Sequence, residues 1–517
     1  MNTSPRSPAS KPAVALAIML GAQLMIILDA TVVNIALPHI QAGLGFSSTS
    51  LSWVLNGYTL TFGGLLLLGG RMGDILGRRR TFLAGIIVFT LASLAGGLAN
   101  SAGVLLAARA VQGVGGALAS PAVLALVVSG FPEGRERVRA LAIYSGVVTG
   151  GGSLGLVLGG LITEWLSWRW VLFINVPIGI AVVIATPLFV AETPRLRPGG
   201  GVASPGSRGA GRFDLAGAVT STAGVAALVY GFIRTAGNGW GDHVGWGAFG
   251  LSVVLLALFV VTEKRVAQPI TPLRLFADAS RSASYVARLL VVAGMFGMFY
   301  FVTLLLQDVL GFSPLRAGVA FLPLTVTLFG VSRLAPRLIP VFGGKRLMII
   351  GMLPMIAGMA WLWRVSPGTA YWSGVFPPMA LFGLGGGISF VPLTTASLAG
   401  VRPEDSGAAS SMVNVMQQVG GSLGLAVLVA VFGTVSRGAA AQWRTAHSAA
   451  SLGQPAGQHY VLAHGMSAAF GLAALFDVAT LLLAIFLFRA DPRPATAPAP
   501  AGEEARVGAA STGPEAG

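Results

Sequence analysis

The chain has 517 residues, of which 54% are hydrophobic and only 10% are charged. Soluble domains carry about 25% charged residues, so this composition excludes an ordinary soluble protein and predicts a membrane protein. The net charge of +15 would suit a nucleic-acid-binding protein if the basic residues shared one surface. Cysteine is absent, which excludes disulfides and thiolate chemistry.

Apolar runs recur along nearly the whole chain, and each is long enough to cross a hydrocarbon core about 30 Å thick as a helix. We therefore predict an all-α integral membrane protein with fourteen transmembrane helices. The predicted spans lie near residues 13–35, 50–70, 80–98, 103–128, 138–163, 168–190, 213–233, 246–263, 284–307, 315–338, 345–364, 374–398, 407–433 and 465–488.

The basic residues follow the predicted topology. With the amino terminus in the cytoplasm, the large majority of the 33 Lys and Arg residues fall on inside segments, as the positive-inside rule requires. An even number of spans then places both termini in the cytoplasm. The positive charge is therefore explained by the membrane topology. We expect the lipid bilayer as a partner, and no nucleic acid.

The spans group into two bundles of six helices, at 13–190 and 284–488, separated by two inserted helices at 213–263. Residues 1–12 form a cytoplasmic tail, and 264–283 form a cytoplasmic loop. Residues 191–212 and 489–517 are rich in Gly, Pro and Ala, which predicts a flexible cytoplasmic linker and a disordered cytoplasmic tail.

Four short sequences occur once in each bundle, in the same order. LGFS occurs at Leu44 and Leu310, GRRRTFLAG at Gly77 parallels GGKRLMIIG at Gly343, GVGG at Gly113 parallels GLGG at Gly383, and GGSLGL occurs at Gly151 and Gly420. The repeats are parallel, which predicts two pseudo-symmetric bundles related by an axis along the membrane normal. A cleft between such bundles would allow alternating access.

Glycines of the fifth span recur every four residues and line one helix face, which permits close backbone approach to a neighbour. They are Gly151, Gly155 and Gly159, with Gly160 beside the last. Tight packing and control of leak both require this feature, so the pattern leaves both roles open.

Two acids lie well inside predicted spans, where a carboxylate costs about 2.5 to 3.5 kcal/mol on insertion scales. Asp29 of the first span and Arg109 of the fourth both lie about 9 Å below the outer face, at 1.5 Å per residue. We interpret Asp29 as the acid that binds the coupling proton, with Arg109 as its partner. A static ion pair is the alternative.

Asp477 lies near mid-membrane in the last span with no evident partner, and we interpret it as a second proton site or a cation contact. Other polar and aromatic residues of the spans are candidates to line a substrate cavity, although lipid-facing packing is the commoner use of such aromatics. The candidates are Gln23, Asn34, Asn56, Tyr58, Gln112, Phe296, Tyr300, Asn414 and Gln417. No metal site is expected.

GRMGDILGRRR at Gly70–Arg80 resembles the inside-loop signature of the major facilitator superfamily. The resemblance covers essentially the whole chain, through LDATVVNIALP, RAVQGVGG and WRWVLFINVPIG, and with two extra helices it is similar to the fourteen-span drug:H⁺ antiporters. It implies proton-driven efflux of amphipathic or hydrophobic small molecules across the bacterial cytoplasmic membrane. The proton gradient, with no cofactor, would supply the energy to a chain that works as a monomer.

The resemblance also assigns roles to the loop residues Gly70, Asp74, Gly77, Arg78 and Arg79. Asp74 would engage the amino end of the opposite bundle's fifth helix and, with Arg78, latch the inside closed. That helix end lies near Gly407, where the helix dipole favours a negative charge. Arg109 would take part in proton coupling.

Two positions depart from the family pattern: Ile75 replaces a basic residue in the loop, and Leu156 replaces the Pro of the fifth-span motif. The first departure weakens the expected latch, and the second removes the kink that Pro would impose.

Other function classes fit the sequence less well. An exporter of one endogenous metabolite, lipid or siderophore is the main alternative. A membrane enzyme would need a cluster of His, Ser or paired carboxylates at one depth, which the sequence does not offer, so we expect no enzyme activity. A sensor would be expected to carry a folded cytoplasmic domain.

Overall fold

The structure is a computed structural model that describes residues 12–131, 134–190, 192, 214–266, 271, 273–402, 405–447 and 449–489. The side chains of Asp74, Thr149, Ser406 and Gly407 are not described. The predicted tails, apart from Pro12 and Arg489, and nearly all of the predicted linker therefore lie outside the described residues.

Within the described ranges, fourteen helices are long and apolar enough to cross a membrane, which confirms the predicted fold class. They are α1 Pro12–Leu44, α2 Trp53–Leu76, α3 Arg78–Gly97, α4 Ala102–Gly130, α5 Arg135–Trp165, α6 Trp170–Phe189, α7 Leu215–Asn238, α8 His243–Arg265, α9 Ala279–Val309, α10 Pro314–Ser332, α11 Gly344–Leu362, α12 Tyr371–Leu398, α13 Ser406–Ala446 and α14 Pro455–Phe486.

Several helices differ from the predicted spans at their ends. α1 continues to Leu44, α13 to Ala446, and α14 begins at Pro455, because apolar content detects only the part of a helix inside the hydrocarbon. The predicted tenth span is divided: Pro314–Ala320 and Leu322–Ser332 are followed by a separate helix, Ala335–Phe342. Pro near the start of each later segment lacks the N–H that would continue the preceding helix.

The turns of the two six-helix bundles repeat each other in conformation. Gly45 and Gly311, in the two LGFS sequences, have φ of 70° and 66°, and Gly77 and Gly343, before the third helix of each bundle, have φ of 104° and 76°. Residues other than glycine rarely adopt such backbone angles. The repeated sequences therefore encode the same two turns twice.

Helix crossings repeat as well. A Cβ added at Gly113 would lie 1.9 Å from Thr61 Oγ1, and one added at Gly383 would lie 2.1 Å from Thr327 Oγ1. These contacts join α2 to α4 and α10 to α12, which are the second and fourth helices of each bundle. Equivalent glycines thus set equivalent interhelical distances, and the two bundles have the same internal packing.

The two bundles contact each other near the end of the molecule where α1 finishes, which the charge pattern assigns to the outside and which we name the outer end. Asn34 of α1 donates to Thr303 Oγ1 (3.0 Å) and to the carbonyl of Phe299 (3.1 Å) on α9. The Tyr300 hydroxyl donates to the carbonyl of Ser48 at 3.1 Å. These bonds close the outer end between α1 and α9.

A second contact between the bundles joins α5 to α10 at the same end. A Cβ at Gly160 would lie 2.5 Å from the carbonyl oxygen of Pro314, and one at Gly318 would lie 2.5 Å from that of Leu156. The backbone N–H of Leu315 donates to Glu164 Oε2 at 2.9 Å. The backbones of α5 and α10 come into direct contact at these two crossings, so only glycine fits there.

The inner halves of α5 and α13 are less covered. Val138 and Ile143, in the first half of α5, are 68% and 41% exposed, and Asn414, in the first half of α13, is also exposed. Contacts at the outer end together with exposed inner halves correspond to an inward-open arrangement of the two bundles.

The inserted helix α7 packs against both bundles. A Cβ at Gly64 of α2 would lie 2.4 Å from Thr222 of α7, and one at Gly433 of α13 would lie 2.3 Å from the carbonyl of Ala236. α8 packs against α7, where the Ser252 hydroxyl donates to the carbonyl of Gly224 at 2.8 Å. α7 therefore covers the seam between α2 and α13, with α8 packed beside it.

The close approach at Gly160 predicts that Gly160→Val weakens closure of the outer end, because its side chain would meet the Pro314 backbone. Gly152→Val is the matched control on the same helix, since a Cβ there meets nothing within 4 Å. The measurement is cross-linking by a short bismaleimide of Glu164→Cys with Leu315→Cys, in a chain without other cysteines. Cross-linking should fall several-fold with Gly160→Val only, and equal cross-linking in both backgrounds would contradict this reading of the contact.

Candidate functional site

Asp29 lies at the centre of a buried polar network in the first bundle. Its side chain is fully buried, and its Oδ2 accepts a hydrogen bond from Arg109 NH1 of α4. Its Oδ1 accepts from Gln112 Nε2 at 3.0 Å and from Asn175 Nδ2 of α6 at 2.8 Å. Three helices thus position one carboxylate.

Arg109 is also held by several contacts, while its NH2 has no hydrogen-bond partner among the described residues. Its Nε donates to the carbonyl of Val54 at 3.0 Å, and its NH1 also donates to Gln112 Oε1 at 2.9 Å. The guanidinium lies 4.6 Å from the centre of the Tyr58 ring, which adds a cation–π interaction. Gln112 in turn donates to Ser93 Oγ of α3 at 2.7 Å.

The chemistry of this network follows from its donors. Each bond to Asp29 comes from an N–H, so the site matches an ionised carboxylate, which only accepts. Adding a proton to Asp29 would remove the charge that attracts Arg109 and place an O–H against an N–H donor. The arrangement can therefore couple the protonation of one acid to the separation of α1 from α4 and α6.

The structure brings together the two residues that the sequence suggested as partners. α1 continues to Leu44, so Asp29 lies about 22 Å from the end of its helix, at 1.5 Å per residue. Asn175 and Ser93 are site residues that the sequence reading missed. Asn175 is a polar residue within an apolar span, which was a usable signal, whereas Ser93 offers none.

Asp477 is also fully buried, but neither of its carboxyl oxygens has a hydrogen-bond partner. A Cβ at Gly294 of α9 would lie 3.8 Å from Asp477 Oδ1 and 3.8 Å from the methyl of Met359 on α11. By the repeated sequences, Met359 is the counterpart of Ser93. Asp477, on the sixth helix of the second bundle, thus lies near the counterpart of the Asp29 network, without its polar partners.

The loop motif after α2 makes its described contacts within the first bundle. Gly77 provides the positive φ between α2 and α3, and Gly70 packs near Pro121. Arg78 NH1 donates to the carbonyl of Ala125 at 3.3 Å, while Arg79 NH1 donates to that of Val190 at 3.1 Å. The predicted contact of Asp74 with the helix end near Gly407 lies outside the described side chains.

The amino end of α13, where Asp74 was expected to dock, already holds a carboxylate of its own. Arg274 Nε donates to Asp405 Oδ2 at 2.8 Å. This guanidinium holds the pKa of the Asp405 carboxyl below its usual value. A second carboxylate that docked at this helix end would therefore meet an ion pair as well as the helix dipole.

The fifth-span glycines all face other helices. A Cβ at Gly151 would contact Ile27 at 3.1 Å, one at Gly155 would lie 1.8 Å from Thr31 Oγ1, and one at Gly159 would lie 2.7 Å from the Val32 carbonyl. These three contact α1, which carries Asp29, whereas Gly160 contacts α10. Packing is thus their evident structural role.

The candidate cavity residues fall into different surroundings. Tyr58 and Gln112 belong to the Asp29 network, and Asn34 and Tyr300 belong to the outer contacts described above. The structure therefore places these four within packed contacts and not on an open wall. The remaining five differ in burial: Gln23 and Asn56 are buried with unpartnered side-chain atoms, Phe296 packs on Gly421, and Asn414 and Gln417 are partly or fully exposed.

The network predicts an unequal effect of removing its two charges. Arg109→Met leaves Asp29 buried without its counter-charge and should cost about 3 to 5 kcal/mol of unfolding free energy. The double variant Asp29→Asn with Arg109→Met should be more stable than Arg109→Met alone, because no unpaired charge remains. Denaturant unfolding in detergent measures both, and a double variant less stable than the single one would contradict the coupling.

Comparison with known proteins agrees with this architecture. The profile of the Major Facilitator Superfamily matches residues 19–425. The chain is 42% identical to the puromycin resistance protein of Streptomyces alboniger, over 91% of this chain and 90% of that one, and 40% identical to the cephamycin export protein of Amycolatopsis lactamdurans, over 87% and 91%.

Solved structures show the same fold. A bacterial homologue of the human lysosomal transporter Spinster, in an inward-facing and unoccupied conformation, superposes with a TM-score of 0.64 at 19% identity, over 93% of this chain and 98% of that one. The repeated six-helix bundles, the family profile and the high identity to full-length relatives lead to one conclusion: this chain is a member of the major facilitator superfamily.

Proposed function

We propose that the protein is a proton-coupled efflux transporter of amphipathic small molecules that works by alternating access. The observation that carries the proposal is the buried carboxylate of Asp29, which is bonded from α4 and α6 in the inward-open arrangement. An ionisable group inside a membrane is costly and is expected to serve transport. The relatives named for puromycin resistance and cephamycin export support a small-molecule antibiotic as the substrate.

The cycle follows from the two charge states of Asp29. In the inward-open state, Asp29 is ionised and paired with Arg109, and the substrate enters from the cytoplasm. After the bundles rock to the outward-open state, a proton from outside neutralises Asp29 and releases Arg109. Return to the inward-open state delivers that proton to the cytoplasm. One proton charge moving inward supplies about 2.3 kcal/mol per 100 mV.

The setting of this cycle is also part of the proposal. The distribution of Lys and Arg supports a bacterial cytoplasmic membrane protein with both termini in the cytoplasm. Both bundles are present in one chain, which supports a working monomer. The energy source is the proton gradient, without a cofactor.

Asp477 supports a second proton site in the other bundle. An ionised carboxylate there would be buried without compensation, so its surroundings favour the neutral acid in this conformation. Asp29 and Asp477 are thus buried acids of the two bundles whose surroundings favour opposite charge states. The two acids can exchange these preferences as the bundles move.

A transporter of one endogenous metabolite, lipid or siderophore is the remaining candidate. Resistance of a pump-deficient host to a panel of unrelated antibiotics separates the two, because a dedicated exporter protects against none of them. Protection against several compounds supports the efflux proposal.

Asp29→Asn should abolish transport driven by a pH gradient while leaving exchange of substrate for substrate intact, because only the proton-bearing step is lost. Proteoliposomes loaded with puromycin and subjected to an imposed pH jump measure the first activity, and counterflow of labelled puromycin measures the second. Asp242→Asn is the control, since this carboxylate pairs with Arg234 near the outer surface. Unchanged pH-driven transport in Asp29→Asn would remove Asp29 from the coupling mechanism.

Asp477→Asn should lower the number of protons exchanged per substrate by one while transport continues. This number is measured in proteoliposomes with opposing pH and substrate gradients. It follows from the ratio of the two gradients at which net transport stops. Thr480→Val, one turn away on α14, is the control for packing. An unchanged proton number would assign Asp477 to packing alone.

A further inference from the structure

Arg288 of α9 is a buried cation that the proposed cycle does not use. Its side chain is 6% exposed, and its position is about 13 Å along α9 from the start at Ala279. A guanidinium keeps its proton at neutral pH even when it is buried. It therefore needs partners that compensate its charge.

The described residues give Arg288 only neutral partners. Its NH2 donates to Thr394 Oγ1 of α12 at 2.8 Å, and its guanidinium lies 5.6 Å from the centre of the Phe390 ring. Its Nε is buried without a hydrogen bond. No carboxylate of the described residues forms an ion pair with it, unlike Arg109, whose charge is balanced by Asp29.

Arg288 lies on a face of α9 that continues to the outer contacts between the bundles. Arg288, Val292, Met295 and Phe299 follow one another at spacings of three or four, so they share one helix face. At its outer end this face touches the first bundle, where Asn34 donates to the carbonyl of Phe299. Toward the inner end the two bundles separate, so this face leads from the outer contacts toward the space between the bundles, with Arg288, 6% exposed, on its inner part.

We infer that Arg288 binds an anionic group of the transported molecule, with a carboxylate as the best-fitting chemistry. A planar guanidinium with a free N–H matches a carboxylate in two parallel bonds. Thr394 orients the guanidinium and leaves its Nε available. The substrate class is thus an amphipathic molecule with an acidic group. This inference rests on the proposed efflux function and names the substrate chemistry of the same transport path.

Two dyes with the same ring system and opposite charge test the inference directly. Fluorescein is an anion with a carboxylate, and rhodamine 6G is a cation in which that carboxylate is esterified. Fluorescence anisotropy with purified protein in lipid nanodiscs, at equal pH on both sides, gives the affinity for each. The wild-type protein should bind fluorescein more tightly than rhodamine 6G.

Arg288→Gln should weaken fluorescein binding about 10- to 100-fold, as expected for loss of a charge-assisted bond, and leave rhodamine 6G binding nearly unchanged. Arg288→Lys should keep part of the preference, because it retains charge without the paired geometry. Thr394→Val should give a smaller loss, since it only releases the orientation of Arg288. Arg288→Glu should reverse the preference toward rhodamine 6G, which is a gain that misfolding cannot produce.

A wild-type protein that binds no fluorescein, or prefers rhodamine 6G, overturns the inference. Equal weakening of both dyes in Arg288→Gln does so too, because it would assign Arg288 to holding α9 against α12. The test is separate from proton coupling. Binding without a gradient survives a failure of coupling, and Arg288→Gln leaves the Asp29–Arg109 pair, on which pH-driven transport depends, in place.

Discussion

The ion pair between Asp29 and Arg109 is the interaction on which the first bundle depends. Both side chains are buried, where attraction between opposite charges is strong and an unpaired charge is expensive. The pair is supplied by α1 and α4, and Gln112 and Asn175 complete the carboxylate's bonds from α4 and α6. One proton added to this site therefore changes the energy of three hydrogen bonds, which join α1 to α4 and α6, at once.

The same packing scheme without these charges forms the second bundle. Glycines at equivalent positions set the crossings of α2 with α4 and of α10 with α12. Met359 stands where the first bundle has Ser93, and Asp477 lies beside it without a partner. Gene duplication can preserve a backbone through its glycines while the buried polar residues diverge. The two bundles are thus alike in shape and unlike in electrostatics, which is what a directional device requires.

Much of this arrangement was predictable, because it depends on local and periodic features. Fourteen apolar runs, repeated turns and two intramembrane charges at related depths follow from the sequence alone. The helix ends were not predictable, since α1 and α13 continue beyond the apolar stretch. Residues of the outer contacts, such as Tyr300, were expected in a cavity because a sequence does not show which conformation its bundles adopt. Ser93 carries no pattern and is recognisable only once three helices meet around Asp29.

The inserted helices make the two seams between the bundles unequal. At one seam, α5 and α10 meet directly through glycines. At the other, α7 lies on both α2 and α13, but its attachments differ. Arg437 of α13 donates to the carbonyl of Ala236 at the end of α7. The described contacts with α2 are van der Waals contacts, at Gly64, at Leu60 and between the rings of Trp53 and Tyr230. Hydrogen bonds to a helix end resist sliding more than a van der Waals contact at a glycine. α7 should therefore move with the second bundle and slide on the first, so that rocking opens the α5–α10 seam most widely.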